Sequence, residues 1–383
     1  MTGVRRTLPA IIVPLLALLT VVPAVHSAAA GRTPSVTLAA GYRIDVVSAA
    51  LVAPRAVLPV TADRAYVTQF SWTKNKGSLV RLTRSASGWK ATTVLSKLDR
   101  PGGLALGPDG KLYVGEVGRV SRIDLSKASL VREPVITDLP GKGLHPLATF
   151  AFTATGDLIV NTGSSTDSCD GQKGKATCAE VEGRAGLGGL RLYHFAWPAG
   201  RVTGWDRLAQ GLRNSMALAV HPSGTILEAD NGRDAINDAD PKLSDALLPH
   251  DELNVIESGR NYGWPYCYDD RTPSPEFRSY DCAATVAPQT LIPAHAAPLG
   301  MAYWDGKLVV GYHGYRDNGH RLVAFPIDAK GVPNGPSTEL IGGWVEKSGQ
   351  ELGGPVGIAA APDGSLWVTD DRNNMVIRLT KAP

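Results

Sequence analysis

One pattern of apolar and polar positions recurs six times along the chain. Each copy starts with a proline or a small residue and continues through a short apolar run. It then turns at a sequence such as PDG, ATG or PSG and returns in an alternating apolar run. The copies begin at Pro54, Pro101, Pro146, Asn214, Pro298 and Pro355. Alternation on both sides of a short glycine turn predicts a β-hairpin in each copy.

Repeated hairpins predict an all-β protein, and six of them predict a six-bladed β-propeller. The longest intervals between copies follow Pro146 and Asn214, so we expect the largest loop insertions there, at the mouth of the central channel. We expect an early strand from Tyr42 to Val47 to complete the last blade and close the ring. A pair of β-sandwiches is the alternative, but six copies of one unit favour radial closure.

The N-terminal segment does not share this pattern. Arg5 and Arg6 precede an apolar run from Leu8 to Val25, and small residues follow the run. This order is typical of a secretory signal peptide, and the run is short and interrupted by prolines for a membrane span. We therefore expect residues 1–30 to be a signal peptide and residues 31–383 to form a single propeller domain. The protein is then secreted and has no membrane span.

Composition limits the class of partner. The chain has 39 Lys and Arg against 36 Asp and Glu, without a basic tail or lysine-rich block, which argues against nucleic acid. Its four cysteines favour disulfides in an exported chain, and neither cysteine pair has the spacing of a zinc knuckle. Four cysteines allow three pairings. The sequence-local pairing, Cys169 with Cys178 and Cys267 with Cys282, requires only that two surface loops close.

Polar residues recur after the second strand of several copies, where a propeller brings loops to one face. They are Glu116, Asn161, Asp230, Asn231, His313, Asp370 and Asp371. Each of them alone is most simply a solvated loop residue, but the recurrence favours a site. The densest polar stretch is 211–268, and its segment 230–240 is rich in the oxygen ligands that calcium prefers. That segment lacks the spacing of an EF-hand, so a polar surface loop remains the alternative.

Three histidines adjoin the repeats. His145 directly precedes the third copy, and an unperturbed pKa of about 6.5 suits a general base. His295 and His313 flank the fifth copy. From position alone, a hydrogen-bonded loop histidine is the simpler interpretation of each. The chain has no P-loop, dinucleotide-binding glycine motif or G-x-S-x-G elbow, so nicotinamide and serine-hydrolase chemistry have no support.

Four motifs together resemble a known family. GLRN at 211–214, NGRD at 231–234, DELN at 251–254 and NYGWPYCY at 261–268 are similar to motifs of the soluble aldose and sorbosone dehydrogenases. These enzymes are six-bladed propellers that use pyrroloquinoline quinone (PQQ) and calcium. With HAAPLG at 295–300 and HGYR at 313–316, the chain is closer still to a branch that includes fungal pyranose dehydrogenases.

The resemblance implies roles for single residues. His145 takes the place of the base that removes the proton of the sugar hydroxyl while hydride passes to the quinone. Calcium polarises the quinone carbonyl as a Lewis acid. The implied cofactor contacts are Arg213, Asn214, Asn231, Arg316 and Arg321. The implied calcium ligands are Gly232 and Arg233, through their backbone carbonyls, and Asp251.

The function that the resemblance implies is the oxidation of an aldose or pyranose sugar, or of a related alcohol. Electrons then pass to an external acceptor, because the chain has no CxxCH haem motif. A propeller that binds carbohydrate or a protein partner without turnover is the alternative, and a calcium-dependent lactonase is a third. The chain departs from the family in the last two blades. Gly354 stands where the family has an arginine, and HGYR replaces a longer HGSWNR motif.

Overall fold

The six predicted hairpins are the first two strands of six β-sheets, which are the blades of a β-propeller. The computed structural model describes residues 26–27, 34–48, 50–170, 177–314, 316–345 and 353–382. Of the predicted signal peptide, only His26–Ser27 lies in these ranges, as a short strand that pairs with Lys90 and Ala91. The predicted all-β, six-bladed architecture is confirmed.

The first three blades follow one another along the chain. The strands of blade 1 are Pro54–Thr61, Arg64–Gln69, Gly77–Ser85 and Gly88–Leu98. The strands of blade 2 are Leu104–Leu106, Leu112–Glu116, Arg119–Ile123 and Arg132–Ile136. The strands of blade 3 are Phe150–Phe152, Leu158–Thr162, Gly189–Ala196 and Arg201–Gln210, with Arg260–Asn261 at the outer edge.

The other three blades complete the ring. The strands of blade 4 are Ser215–Val220, Ile226–Asp230, Asp251–Val255 and Thr290–Ile292. The strands of blade 5 are Pro298–Trp304, Lys307–Tyr312, Arg321–Pro326 and Thr338–Val345, followed by Ser35–Leu38. The strands of blade 6 are Pro355–Ala360, Leu366–Asp370, Met375–Lys381 and Tyr42–Ser48.

Elements outside the blades are short and lie in the two long insertions. They are the 3-10 helices Ala179–Val181, Pro275–Phe277 and Cys282–Ala284, the α-helix Ile236–Ala239, and the strand pair Cys267–Tyr268 with Thr272–Pro273. In the described part of the chain, no helix has the length and hydropathy needed to cross a membrane.

Early strands close the ring. Tyr42–Ser48 pairs antiparallel with Met375–Lys381 and is the outer strand of blade 6, as predicted. Ser35–Leu38 pairs in the same way with Thr338–Val345 of blade 5. Residues from the two ends of the propeller domain therefore share sheets, so closure depends on contacts that are remote in sequence.

The hydrophobic core lies between neighbouring blades. Leu227 of blade 4, for example, packs in one buried cluster with Leu308 of blade 5. The inner strands approach so closely that a Cβ at Gly300 would lie 2.0 Å from the carbonyl oxygen of Val356. Glycine is required there because backbone cannot move away at low cost. The first strands of the blades surround an axial cavity of about 140 Å³.

Both disulfides have the sequence-local pairing. Cys169 is bonded to Cys178 and Cys267 to Cys282, across sequence separations of 9 and 15 residues. All four sulfurs lie in one buried cluster with aromatic side chains that include Trp264. The cysteines therefore hold two insertion loops against each other, one between the second and third strands of blade 3 and one between the third and fourth strands of blade 4.

Candidate functional site

The open ends of the six hairpins lie at one face of the propeller. We call it the open-end face; it consists of the residues just before each first strand and just after each second strand. Contacts between blades join these ends. Nε2 of His313 lies 2.9 Å from Oδ1 of Asp371, and the side-chain amide of Asn231 donates to the carbonyl of Pro298 at 2.9 Å. Polar residues from different repeats therefore meet around the axis.

His145 is held by the end of the neighbouring strand. Its N–H donates to the carbonyl of Ser164 at 3.1 Å, and its Nδ1 lies 2.9 Å from Oγ of Ser164. The Ser164 hydroxyl donates its proton to the carbonyl of Thr166 at 2.7 Å. Because a carbonyl only accepts, Oγ must accept from His145, and Nδ1 carries the proton. Nε2 then presents a lone pair, which is the tautomer that a base requires.

The charge state of His145 follows from its surroundings. Burial, followed by the positive charge of Arg213, lowers the pKa of His145 to about 3. The bond to Ser164 and the charge of Asp234 oppose this shift. The imidazole is therefore neutral at physiological pH. An anionic ligand bound beside the ring would raise the pKa towards the range in which a base is most effective.

This environment predicts the titration of His145 in the ligand-free protein. Since the lowered pKa keeps the neutral form until the pH falls well below the usual value, the ring is expected to show no titration between about pH 5 and 8. Side-chain NMR of the histidines measures this directly. His194 is the control, because hydrogen bonds to Asp206 and Asp157 raise its pKa above the usual value. A titration of His145 near neutral pH would contradict the assignment.

Arg213 connects blades 3 and 4. Only 4% of the residue is exposed, and its guanidinium bonds the carboxylate and carbonyl of Asp167 and the carbonyl of Asn231. Asp167 also accepts from the backbone N–H of Asp234 at 3.1 Å. The carbonyl of Asp167 accepts from the indole N–H of Trp264 at 3.1 Å. Asp167 therefore fixes Arg213 against the loop that follows the second strand of blade 4.

A buried carboxylate holds the GLRN segment. Asp230 accepts the backbone N–H groups of Arg213 at 2.8 Å and of Asn214 at 2.6 Å. Burial raises the pKa of Asp230 to about 6, although these bonds favour the charged form. The carbonyl of Asn214 accepts the N–H of Asn231 at 3.3 Å. Asp230 thus forms one hydrogen-bonded unit with three expected cofactor contacts, Arg213, Asn214 and Asn231.

The loop 231–234 carries the two carbonyls expected to bind calcium. Among the described residues, neither the Gly232 nor the Arg233 carbonyl accepts a hydrogen bond. Asp251 fixes the loop, since its Oδ1 accepts the N–H of Gly232 and its Oδ2 the N–H of Ala297, both at 2.7 Å. Burial raises the pKa of Asp251 to about 7. The guanidinium of Arg233 bonds Glu276 at 2.6 Å.

Further acidic groups surround this loop. Glu228 and Glu252 lie on the same two strands as Asp230 and Asp251, and burial raises the pKa of each well above its usual value. A cavity of about 30 Å³ is lined by Asp230, Gly232 and Glu252 among others. Four buried carboxylates close together give this part of blade 4 a negative potential whenever they ionise, which favours a bound cation.

Arg316 is connected to the loop 231–234 through Asp245 and His295. Its Nη2 lies 2.5 Å from Oδ2 of Asp245. Nε2 of His295 lies 2.6 Å from the carbonyl of Asp245, and its Nδ1 is 3.3 Å from Asp234. A continuous set of polar contacts therefore runs from blade 5 to the loop beside Arg213.

Arg321 has a different position from the other predicted residues. It starts the third strand of blade 5, and its Nη1 lies 3.2 Å from Glu339 on the fourth strand. Its Nε donates to the carbonyl of Gly319 at 3.0 Å. These partners direct the side chain along its own blade, whereas Arg213, Asn231 and the loop 231–234 lie together.

Side chains with metal-binding groups cluster in one place among the described residues, at Cys169, Cys178 and Glu180. Because the two cysteines form a disulfide, their sulfurs are not thiolate ligands. That cluster is therefore not a metal centre. The carbonyls of loop 231–234 remain the groups best suited to a hard cation.

A comparison with protein families identifies the chain. Residues 36–382 match the family model described as TrAA12-like, which is nearly the whole propeller. The chain belongs to the TrAA12-like family. The family match, together with solved structures of similar fold, confirms the expected resemblance to PQQ-dependent sugar dehydrogenases.

Solved structures share the fold of this TrAA12-like chain. The calcium structure of Trichoderma reesei Carbohydrate-Active Enzymes Family AA12 has a TM-score of 0.73 and 21% identity, covering 91% of this chain and 98% of that chain. The holo form of the pyranose dehydrogenase PQQ domain from Coprinopsis cinerea has a TM-score of 0.70 and 19% identity, covering 91% and 97%. The PQQ-bound aldose sugar dehydrogenase from Streptomyces coelicolor has a TM-score of 0.61 and 20% identity, covering 90% and 99%.

Another relative matches part of the chain. An uncharacterised protein of Borreliella burgdorferi (strain ATCC 35210 / DSM 4680 / CIP 102532 / B31) is 29% identical over 189 residues, 45% of this chain and 48% of that protein. The chain thus spans about half the length of that relative. The match establishes a relationship in sequence but indicates no activity.

Two residues that organise the site were not expected from the sequence. Ser164 sets the tautomer of His145, and Asp167 holds Arg213. Both lie in the segment SSTDSCD at 164–170, after the second strand of blade 3. The loop 231–234 of blade 4 follows a second strand in the same way. The recurrence of polar residues after second strands was therefore the signal that could have identified them.

Proposed function

We propose that this TrAA12-like chain is a PQQ- and calcium-dependent dehydrogenase that oxidises an aldose or pyranose sugar, or a related alcohol. The observation that carries the proposal is the state of His145, which is neutral, carries its proton on Nδ1 and therefore presents a lone pair on Nε2. We also propose that the protein is secreted, on the pattern of residues 1–30, and passes its electrons to an external acceptor. The PQQ-bound structures of similar fold support the choice of cofactor.

The residues at the open-end face fit an anionic ligand with several carboxylates. Guanidinium groups bind carboxylates through two parallel hydrogen bonds. The face carries arginines in several blades, namely Arg55, Arg213, Arg233, Arg316 and Arg372. In the proposed site, Arg213, Asn214 and Asn231 hold the cofactor together with Arg316. Arg321 is retained as a weaker candidate, because it bonds Glu339 within its own blade.

The calcium ligands proposed from the sequence also fit the structure. The carbonyls of Gly232 and Arg233 have no hydrogen-bond donor in the described ranges, and oxygen is the ligand that calcium prefers. Asp251 uses both oxygens to hold backbone N–H groups, which supports a role in fixing the loop. Each oxygen keeps a second lone pair that can face the ion.

Each protein group of the proposed site has a defined role in the reaction. When bound, PQQ supplies an acceptor for the hydride of the sugar, and calcium supplies a Lewis acid. Nε2 of His145 accepts the proton of the sugar hydroxyl, because Ser164 keeps the other ring nitrogen protonated. The negative charge of Asp234 stabilises the imidazolium that forms. Partial burial of the ring limits the access of water, which would compete for the lone pair.

The proposal is tested by reconstitution of the purified chain with PQQ and calcium chloride. We expect uptake of PQQ, seen as a change in its absorbance, and reduction of a dye when aldoses or pyranoses are added. Absence of uptake would sink the proposal. Uptake without dye reduction would favour a propeller that binds carbohydrate without turnover. Hydrolysis of a sugar lactone with calcium alone would favour the lactonase.

A further inference from the structure

Arg372 differs from the other arginines of the open-end face. Arg213, Arg233, Arg316 and Arg55 each have a carboxylate oxygen within 4.0 Å, on Asp167, Glu276, Asp245 and Asp371 respectively. Arg372 has none among the described residues. Its Nη2 donates instead to the carbonyl of Gly314 at 2.8 Å. Arg372 is thus a partly exposed cation held by a neutral group, and its charge is not matched by a contacting anion.

A second contact of Arg372 in the described part of the chain involves no hydrogen-bond acceptor. Its Nη1 lies 3.4 Å from Nδ1 of His320, but that nitrogen is 2.8 Å from the carbonyl of Gly353. Because a carbonyl only accepts, Nδ1 of His320 carries the proton and cannot accept from Arg372. His320 is 8% exposed, and its Nε2 is buried without a partner in the described structure. Arg372 and His320 therefore each have a polar side-chain atom that lacks a hydrogen-bond acceptor or donor among the described residues.

The backbone around Arg372 is rigidly placed. Asp370 accepts the N–H groups of Gly354, Arg372 and Asn373 at 3.0, 3.1 and 3.0 Å. The adjacent carboxylate, Asp371, is bonded by His313 at 2.9 Å and Arg55 at 3.4 Å. The loop therefore fixes the backbone of Arg372, and no carboxylate of the described residues lies within 4.0 Å of its guanidinium.

Gly354 explains how the side chain of Arg372 reaches this position. A Cβ at residue 354 would lie 2.7 Å from Oδ1 of Asp371, 2.8 Å from Cγ of Arg372 and 3.1 Å from Cδ of Arg372. The carboxylate of Asp371 and the aliphatic stem of Arg372 thus occupy the space that a side chain on residue 354 would need. Glycine is favoured at position 354 because that space is filled.

We propose that Arg372 binds a carboxylate of the cofactor, in the place that an arginine at position 354 would otherwise serve. The inference rests on the proposed function. Blade 6 lies across the axis from blade 3 in a ring of six, so its cation acts on the side opposite His145 and Asp167. A rigid ligand with several carboxylates needs cations on more than one side of the axis.

The test is PQQ affinity, measured by isothermal titration with calcium chloride present, independently of turnover. Arg372→Ala is expected to weaken PQQ binding by about 10- to 100-fold, the usual effect of losing a hydrogen bond to a charged group. Arg378→Ala is the matched control, because Arg378 belongs to the same blade but pairs with Asp363 at the opposite hairpin end, at 2.6 Å. It is expected to bind PQQ like the unaltered protein.

A swap tests the shared position. The double variant Gly354→Arg with Arg372→Ala restores a guanidinium to the same space and is expected to recover affinity lost in Arg372→Ala. No recovery would refute the equivalence of the two positions. Equal affinity of Arg372→Ala and the unaltered protein would overturn the proposal while leaving the proposed function intact. If the unaltered protein itself takes up no PQQ, the proposed function fails first. Should Arg372→Ala not fold, Arg372→Gln replaces it, and unchanged affinity there has the same meaning.

Discussion

Replacement of His145 by alanine is expected to lower kcat by at least about 100-fold, the contribution typical of a positioned general base. Alanine removes Nε2, the lone pair that accepts the proton of the sugar hydroxyl. The variant also removes the bond to Ser164, but Ser164 keeps its bond to the carbonyl of Thr166. The loop should therefore keep its shape, and the loss should fall on the reaction.

The measurement compares dye reduction with PQQ affinity in the same preparation. PQQ binding to His145→Ala is expected to stay within about threefold of the unaltered protein, because the neutral ring contributes no charge to an anionic ligand. His194→Ala is the control, since His194 lies on the surface of blade 3. A variant that retained full turnover would refute the assignment of His145 as the base.

Removal of Arg213 is expected to have the largest effect on stability. Arg213→Ala should lower the free energy of unfolding by about 3 kcal/mol, because breaking a buried ion pair leaves the partner carboxylate with weaker compensation, here the N–H of Asp234 and Arg233 at 3.8 Å. The partner is Asp167, whose side chain is 22% exposed against 4% for that of Arg213. The same change removes the backbone link to Asn231 at 3.1 Å. Chemical denaturation measures the loss.

A double-mutant cycle separates this pair from general damage. Because Asp167 is costly only when its partner is missing, Arg213→Ala combined with Asp167→Ala is expected to lose less stability than the sum of the two single variants. Simple additivity would contradict the pairing. The exposed pair of Arg43 and Asp45, 3.2 Å apart, is the control, and Arg43→Ala is expected to leave stability unchanged.

Arg213→Ala has a second expected consequence, at His145. The charge of Arg213 is the main cause, after burial, of the lowered pKa of His145. Its removal is therefore expected to raise the pKa of His145, so that protonation begins at a higher pH than in the unaltered protein. Side-chain NMR of the folded variant detects the shift. An unchanged titration would show that the two side chains do not interact.

Much of the fold was predictable because its units are local. Each hairpin is specified by alternation and a short glycine turn within one repeat, as at Pro355 to Asp370. The disulfides were predictable for the same reason, since each joins cysteines of one loop. The early strand expected from Tyr42 to Val47 closes the ring as Tyr42–Ser48. The second early strand, Ser35–Leu38 in blade 5, was not expected.

The candidate site was predictable in part. Arg213, Asn231 and the loop 231–234 lie in one continuous polar stretch, so the sequence already placed them together. The stretch does not belong to one blade, however, because Arg260–Asn261 pairs with the outer strand of blade 3. Ser164 and Asp167 lie in another repeat, and their partners could be known only when the loops of blades 3 and 4 were packed together.

The sequence by itself determined the number of blades, favoured the observed disulfide pairs and placed a histidine at the start of the third repeat, since these depend on short-range pattern. The tertiary structure decided which of its nitrogens carries the proton, because that depends on Ser164 and Thr166. It also decided that the missing side chain at Gly354 is matched by the stem of Arg372. Residues that are distant in sequence occupy adjoining space and compensate each other's charges. No pattern along the chain records which residues do so.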